Sequence, residues 1–316
     1  MKAAVLNRQG EAPRLAEFAE PAAGAGETLV EVRAAAIKQL DRAIASGSHY
    51  ASPKDLPIVC GTDGVGLASD GRRVYFVVRR RSFGSMAERA PAALTVPLPD
   101  GLDDASAAAV VNPSLAAFLP LVWRGRLERG ETVLVIGATG ASGRMTVRAA
   151  RLLGAGRLIA AARNQEILNT LGADATIDLR LPREELKRAF AREAVRGIDL
   201  VVDFVWGPAA EALIEALVRP DLIASGGGEI RFVQVGSMGG DAITLNFGAL
   251  RGARLTLLGS GTGNFPPPER MRSLIAEILE RAAKREIGVE VARRPLSEIA
   301  EAWTAKEDER RIVLMV

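Results

Sequence analysis

Three glycines at a spacing suited to phosphate binding lie in the segment from Gly137 to Gly143, which reads GATGASG. The segment follows Thr132–Ile136, an aliphatic and β-branched run that is typical of a strand buried on both faces. It precedes Arg144–Leu153, whose apolar residues recur at helical spacing. In such a unit Gly137 allows the tight turn, Gly140 admits the phosphates, and Gly143 brings the helix close to the strand. The amides at the helix start then face the anion, which predicts a site for a dinucleotide pyrophosphate.

We expect most of the turn to contact this cofactor, through Gly137, Thr139, Gly140, Ala141, Ser142 and Gly143. Ligands of open α/β sheets bind at the carboxyl ends of the strands, so later strand ends are expected to contribute as well. These further contacts are Val205, Val235, Gly236, Ser237, Gly259 and Ser260.

The residues that end the second strand indicate which dinucleotide binds. An acidic residue about 20 positions beyond the glycine turn usually binds the adenine ribose 2′-hydroxyl of NAD. This chain has Arg163 and Asn164 in that place and no carboxylate. Arg163 offers a planar set of donors suited to a 2′-phosphate, to which Asn164 and Arg144 can add, although an arginine at a strand end can also be merely solvated. The sequence therefore predicts NADPH in preference to NADH.

Composition excludes several classes of protein. The chain of 316 residues has a net charge of only +3, and its one compact basic cluster, Arg79–Arg81, is too small to predict a nucleic-acid surface. His49 and Cys60 are the only residues of their types, which excludes a disulfide framework and any multi-Cys or multi-His zinc site. No apolar run approaches the roughly 20 residues that span a bilayer, so we expect a cytoplasmic protein with no membrane contact.

The pattern along the chain predicts an α/β fold with a domain change near residue 113. Residues 1–112 are rich in short strands and turns and end in a predicted helix, Asp103–Ala109. Residues 113–262 begin with a predicted helix over Leu115–Trp123 and then alternate strand and helix, which predicts a doubly wound parallel sheet. Residues 263–316 contain a helix and a last apolar strand that returns to the first domain. The six predicted strands of the sheet are Thr132–Ile136, Arg157–Ala162, Ala175–Ile177, Ile198–Phe204, Glu229–Val235 and Leu255–Gly259.

Several motifs in this order resemble one family, the medium-chain dehydrogenase/reductases, and within it the zinc-independent quinone oxidoreductase branch. Besides the glycine turn, the motifs are Met1–Val5, Val30–Ala36, Leu56–Gly66, Phe83–Glu88, Leu171–Asp174 and Asp199–Asp203. The resemblance covers essentially the full length. It implies a GroES-like mainly-β catalytic module over 1–112 that 263–316 complete, an NADPH-binding Rossmann domain over 113–262, and hydride transfer.

The same resemblance bears on metals and assembly. Alcohol dehydrogenases of this superfamily hold catalytic zinc at positions that fall near Lys38, Thr62–Asp63 and Asn112 in this chain. None of these residues carries a thiolate or imidazole, so we expect no metal site. Relatives pair the sixth strand of the Rossmann sheet across a dimer twofold, so we expect a homodimer through Leu255–Gly259.

A hydride acceptor that is already electron-poor needs only alignment, exclusion of water, and a donor near the oxygen that gains charge. Candidates for that donor are Lys38, Tyr50 and His49, with Asn112 holding an amide edge of nicotinamide or substrate. Each has a structural alternative, since Lys38 can simply pair with Asp41 or Asp63, and Tyr50 and His49 can be ordinary loop residues.

The sequence therefore predicts an NADPH-dependent oxidoreductase acting on a small-molecule quinone or α,β-unsaturated carbonyl compound. An alcohol dehydrogenase or ketone reductase of the same superfamily, and a non-catalytic NADPH-binding protein, remain alternatives.

Overall fold

A computed structural model of the protein describes residues 1–80, 82–218, 228–305 and 310–316. Arg81 of the basic cluster lies outside the described residues. The chain divides into two compact units: Met1–Asn112 with Pro267–Val316, and Pro113–Pro266. The second unit thus extends past residue 262, where the sequence pattern placed its end.

The described residues contain strands β1 to β15 and helices α1 to α9. The strands are Lys2–Leu6 (β1), Arg14–Glu17 (β2), Thr28–Ala36 (β3), Ile58–Val59 (β4), Asp63–Ala68 (β5), Arg73–Val78 (β6), Arg89–Pro97 (β7), Thr132–Ile136 (β8), Arg157–Ala162 (β9), Ala175–Asp178 (β10), Leu200–Asp203 (β11), Ile230–Gln234 (β12), Leu255–Gly259 (β13), Val291–Pro295 (β14) and Arg311–Met315 (β15). The helices are Gln39–Ser46 (α1), Asp104–Phe118 (α2), Ala141–Leu152 (α3), Gln165–Thr170 (α4), Arg183–Val195 (α5), Gly207–Ala216 (α6), Phe247–Gly252 (α7), Pro268–Ala283 (α8) and Ile299–Thr304 (α9).

The second unit is built on a six-stranded parallel sheet in the order β10-β9-β8-β11-β12-β13. Its central strand β8 is buried on both faces, since Val133, Leu134, Val135 and Ile136 are all inaccessible to solvent. Helices join successive strands, as the alternating sequence pattern predicted. The prediction of a doubly wound Rossmann sheet is confirmed, and β13 is one of its two edge strands.

The first unit is mainly β, as predicted. In its larger sheet β3 pairs with both β5 and β7, which closes β3, β5, β6 and β7 into a small barrel. The C-terminal strand β15 joins the same sheet by pairing with β3. A smaller sheet of β2, β1 and β4 lies in the same unit. The sequence pattern missed β2, β4, β14 and α1, and α1 carries residues of the site described below.

One prediction about the helices was wrong. In place of two helices separated near Pro113, α2 runs unbroken through that proline and continues into a π-helical turn, Leu119–Arg124. Proline in a helix interior removes one hydrogen bond. Here burial outweighs that loss, because α2 is lined by fully buried apolar residues such as Ala107 and Val111.

The joined helical segment also corrects the expectation about membrane spans. Asp104–Arg124 is a helical stretch of 21 residues, long and apolar enough to cross a bilayer by length and composition. However, 72% of its most apolar part is buried inside the structure, as in the core helix of a globular protein.

Candidate active site

The glycine turn joins the carboxyl end of β8 to the start of α3. Gly137 has a φ of +85°, a left-handed angle that favours glycine, and its amide donates to the Ala161 carbonyl of β9 over 2.8 Å. The first three amides of α3 belong to Ala141, Ser142 and Gly143. Because no helical carbonyl precedes them by one turn, they are open to an external acceptor. This arrangement can bind the pyrophosphate of a dinucleotide.

Helix and turn approach each other most closely at Gly143. A Cβ atom there would lie 2.1 Å from the carbonyl oxygen of Gly137 and 2.8 Å from the Cα of Ala138, so no larger residue fits. Gly140 is different, because the nearest described atom to a Cβ at that position would be 3.6 Å away. The two glycines therefore have different roles. Gly143 allows the helix to pack onto the turn, and Gly140 leaves open space beside the backbone.

The loops that follow β11, β12 and β13 begin at the same edge of the sheet, because Ile136, Asp203, Gln234 and Gly259 are successive register partners. The structure thereby brings together most of the strand-end residues predicted to bind cofactor. A Cβ on Gly137 would lie 3.0 Å from Cγ2 of Val205.

Backbone bonds connect these loops to one another. The amides of Val235 and Gly236 donate to the Asp203 carbonyl over 2.8 and 3.1 Å, and the Ser260 amide donates to the Gln234 carbonyl over 2.8 Å. Ser237 follows in the same loop and is exposed. The Gly259 carbonyl accepts a hydrogen bond of 2.8 Å from Nε of Arg124.

Arg163 and Asn164 follow β9 at this same edge, and both are exposed. Asn164 is the N-cap of α4, where its Oδ1 accepts a hydrogen bond of 3.2 Å from the Ile167 amide. Its side-chain oxygen is therefore engaged, and its amide nitrogen is the group left to donate to a ligand. The Arg163 guanidinium is accessible to an external anion.

In the first unit, Lys38 lies in a buried ionic cluster. Its Nζ is 2.8 Å from Oδ2 of Asp63 and 3.5 Å from Oδ2 of Asp41, and its side chain is only 1% exposed. The Thr62 hydroxyl lies 3.1 Å from an oxygen of each carboxylate. The second Asp63 oxygen, Oδ1, is buried and accepts no hydrogen bond from the part of the chain that the structure describes.

Helix α1 and strand β5 position this cluster. Asp41 lies in the first turn of α1, where its Oδ2 accepts a hydrogen bond of 3.1 Å from the Lys38 amide and its Oδ1 accepts one of 3.2 Å from the Thr62 amide. From its place in the helix, Asp41 thus orders the segment around Lys38.

Burial and the neighbouring opposite charges shift the pKa values of Lys38 and Asp41 in opposite directions. Burial alone would lower the pKa of Lys38, but the charges of Asp41 and Asp63 outweigh it and raise that pKa above its ordinary value. Burial raises the pKa of Asp41, against the opposing effect of Lys38. The ammonium is therefore retained at neutral pH.

The other candidate residues are less buried than this cluster. Tyr50 is 75% exposed, and its ring stacks on that of His49 with centroids 4.2 Å apart. Burial lowers the pKa of His49, so its imidazole is neutral at pH 7, and its Nδ1 accepts a hydrogen bond of 3.0 Å from the Ala51 amide. Asn112 is partly buried within α2. Cys60 is a buried thiol whose pKa is raised by burial, which makes it unreactive.

No protein-family model matches this chain. A probable NADPH-dependent quinone reductase of Emericella nidulans is 30% identical over 228 residues, which are 68% of this chain and 62% of that protein. The chain thus spans less than two thirds of this curated relative.

Two solved structures match over the full length of both chains. A mycobacterial quinone oxidoreductase superposes with a TM-score of 0.86 at 23% identity, which shows the fold. The quinone oxidoreductase of Thermus thermophilus, whose structure was also solved in complex with NADPH, superposes with a TM-score of 0.76 at 30% identity.

This chain belongs to the zinc-independent quinone oxidoreductase branch of the medium-chain dehydrogenase/reductases. The described residues contain no group of three or more His, Cys, Asp or Glu side chains placed to hold a metal ion. Two of the positions that the family resemblance matches to zinc ligands, Lys38 and Asp63, form an ion pair with each other.

Sequence reasoning missed one member of the buried ionic cluster, Tyr75. In the antiparallel register Asp63 is opposite Val77 and Val65 is opposite Tyr75, so Tyr75 is a diagonal neighbour of Asp63 on the same face. Burial raises the pKa of the Tyr75 phenol well above its usual value, and the Asp63 and Asp41 charges add to the effect. Only the pairing of β5 with β6 could have revealed this neighbour.

The packing at Gly143 leads to a prediction about stability. Gly143→Ala should lower the free energy of unfolding by about 2 kcal/mol, because the new methyl group overlaps backbone atoms of the turn. Gly140→Ala is the matched control and should leave stability nearly unchanged, since its backbone, with φ −70° and ψ 164°, suits alanine. Urea unfolding followed by circular dichroism measures both, and equal midpoints for the two variants would contradict the prediction.

The ion-pair cluster leads to a second prediction. Lys38→Met should lower the free energy of unfolding at pH 8 by about 3–5 kcal/mol, because it removes the ammonium that pairs with the two buried carboxylates. The loss should shrink as the pH falls toward 4. Without the ammonium, which opposes the effect of burial, the pKa of the Asp41 carboxyl rises further above its value in the unfolded state, so the destabilisation appears as the pH rises through that pKa.

The double variant Lys38→Met/Asp63→Asn is the control for this effect. It should regain part of the stability lost by Lys38→Met, because it removes one of the two charges left unpaired. Urea unfolding between pH 4 and 8 measures the difference, and a loss that does not change with pH would contradict the prediction.

Proposed function

We propose that this chain catalyses the NADPH-dependent reduction of quinones or α,β-unsaturated carbonyl compounds, without a metal ion. The observation that carries the proposal is the backbone cradle at Gly137–Gly143, where a Cβ on Gly143 would collide with the turn. The relatives named above support it, because one is called an NADPH-dependent quinone reductase and another was solved with NADPH.

The residues of the cradle suit a dinucleotide. Gly140 leaves the backbone open, and the first amides of α3 can donate to a pyrophosphate. Arg163 supports the preference for NADPH, since its exposed guanidinium suits the 2′-phosphate and no carboxylate stands in its place. When bound, NADPH supplies the hydride.

We assign the remaining roles to residues of this chain. Lys38 provides a buried positive charge that stabilises negative charge on the acceptor oxygen. Tyr50 donates the proton that the reduced acceptor requires, because its ring is accessible, while the neutral imidazole of His49 supports that ring from behind. Asn112 holds an amide or carbonyl edge of nicotinamide or substrate.

The two units take separate parts in this proposal. The second unit binds the dinucleotide, and the first unit, completed by its C-terminal segment, supplies the catalytic groups. We also propose a cytoplasmic location, consistent with the burial of the most apolar helix.

We further propose a homodimer that pairs the edge strand β13. Its support is the position of β13 at the end of the sheet with Leu257 36% exposed. A monomer in light scattering at micromolar concentration would refute the dimer.

The test of function is an anaerobic screen that follows NADPH oxidation at 340 nm with quinones, enones, enals and saturated ketones. We expect turnover with quinones or enones, and no loss of activity after treatment with a chelator. Turnover of ketones alone would favour a ketone reductase, and NADPH binding with no turnover of any acceptor would favour a non-catalytic binding protein. Either result would reject the proposed activity.

The choice of dinucleotide gives a further prediction. Arg163→Asp should lower the ratio of NADPH to NADH affinity by at least about tenfold, because a carboxylate repels the 2′-phosphate and suits the 2′-hydroxyl. Arg188→Asp, at an exposed arginine on α5, is the control and should leave the ratio unchanged. Isothermal titration with each dinucleotide measures the ratio, and equal ratios for the two variants would contradict the prediction.

A further inference from the structure

Asp203 is a buried carboxylate with an unusual place in the second unit. It ends β11, is inaccessible to solvent, and accepts backbone hydrogen bonds from the two loop residues that follow Phe204. The Val205 amide donates to Oδ1 over 2.7 Å, and the Trp206 amide lies 3.0 Å from Oδ1 and 3.2 Å from Oδ2. A carboxylate is costly to bury unless hydrogen bonds replace its contacts with water. Here the two loop amides supply such bonds, and the carboxylate in turn holds the loop in place.

The loop that Asp203 holds is strained. Trp206 has a φ of +62° and a ψ of −159°, a combination that residues other than glycine rarely adopt. Gly207 follows with a φ of +57°. The Trp206 ring packs edge-on against Phe232, with ring centroids 6.0 Å apart at 74°. A conformation of this kind persists only where surrounding contacts determine it, and the Asp203 carboxylate and the Phe232 ring supply such contacts.

The strained loop packs between two neighbours at the carboxyl edge of the sheet, the glycine turn and the loop that follows β12. On one side, a Cβ on Gly137 would lie 3.0 Å from Cγ2 of Val205 and 3.2 Å from Cβ of Phe204. On the other side, the Gly239 amide donates to the Val205 carbonyl over 2.7 Å. A change in the loop after Asp203 would therefore alter the surface beside the glycine turn.

No neighbouring charge competes for Asp203 among the described residues packed around it. Its register partners are Ile136 in β8 and Gln234 in β12, which are uncharged. Arg231 of β12 lies at the opposite end of the strand, opposite Leu200. The acidic residues of α6, Glu211 and Glu215, form ion pairs with Arg183.

The ionisation of Asp203 is set by these surroundings. Burial raises its pKa to about 6, and hydrogen bonds from the Trp206 and Val205 amides partly oppose the shift. The carboxylate is therefore mainly ionised at pH 7.5 and mainly protonated at pH 5. Protonation weakens both amide hydrogen bonds, because a charged acceptor binds an amide more strongly than a neutral one.

We propose that Asp203 is a positioning residue for dinucleotide binding: its ionised carboxylate holds the Val205–Trp206 turn in the conformation that shapes the surface beside Gly137. This inference rests on the proposed function of the glycine turn. It adds that the affinity for the dinucleotide depends on a side chain that does not touch it.

The test compares the binding of NADP⁺ to the wild type and to Asp203→Asn by isothermal titration at pH 5 and pH 7.5. Asparagine keeps the size and one acceptor oxygen but not the charge. The 2′-phosphate itself titrates near pH 6, but it affects both proteins equally. The ratio of the variant Kd to the wild-type Kd should be near 1 at pH 5 and about tenfold at pH 7.5.

Asp174→Asn is the matched control. Asp174 also accepts a hydrogen bond from a backbone amide, that of Leu158 over 2.7 Å, but it precedes β10 and so lies at the edge of the sheet opposite to the glycine turn. Its Kd ratio should stay near 1 at both pH values. A ratio for Asp203→Asn that does not change between the two pH values would overturn the inference. Failure of the wild type to bind NADP⁺ would instead reject the proposed function.

A second measurement applies if Asp203→Asn does not fold. The tryptophan fluorescence of the wild type without ligand should change between pH 5 and 7.5 with a midpoint near 6, because the Trp206 turn loosens as Asp203 is protonated. Trp206→Phe should abolish this transition and leave the signals of Trp123 and Trp303. The absence of the transition in the wild type would overturn the inference.

Discussion

In the second unit the first turn of α3 packs directly onto the carbonyl of Gly137, at a distance that no side chain at Gly143 would permit. This contact determines where the helix begins, and therefore where its open amides lie relative to the carboxyl ends of the strands. The loops after β11, β12 and β13 are then arranged around the same edge by the parallel register of the sheet. The absence of a side chain at Gly143 thus helps to determine the shape of the surface at the carboxyl edge of the sheet.

The first unit solves a different physical problem, the burial of charge. Lys38, Asp41 and Asp63 are almost fully withdrawn from water, which is tolerable only because each ion has an opposite partner and further hydrogen bonds. The family resemblance matches two of these positions, Lys38 and Asp63, to the zinc ligands of alcohol dehydrogenases. Here an ammonium group supplies the positive charge, and it requires no thiolate or imidazole ligands.

Local patterns predicted much of the second unit, because β8, the glycine turn and α3 are specified by neighbouring residues. The helix α1 was missed because it is only eight residues long and begins after Lys38, a residue type that does not mark a helix start. The break expected at Pro113 failed because burial of α2, a tertiary effect, outweighed a local preference. The contact of Tyr75 with the ionic cluster depends on strand register, and nothing in a tryptophan foretells the left-handed backbone of Trp206.

The π-helical turn that follows α2 has a consequence for the architecture of the chain. Nε1 of Trp123 donates to the Asn264 carbonyl over 3.0 Å, and Arg124 donates to Gly259, so the segment that opens the second unit is bonded to the segment that closes it. The second unit is one continuous stretch inside a chain whose two outer parts form the first unit. Because these bonds join a segment near its start to a segment near its end, the second unit is tied together within itself, as is expected of a module inserted into a longer chain.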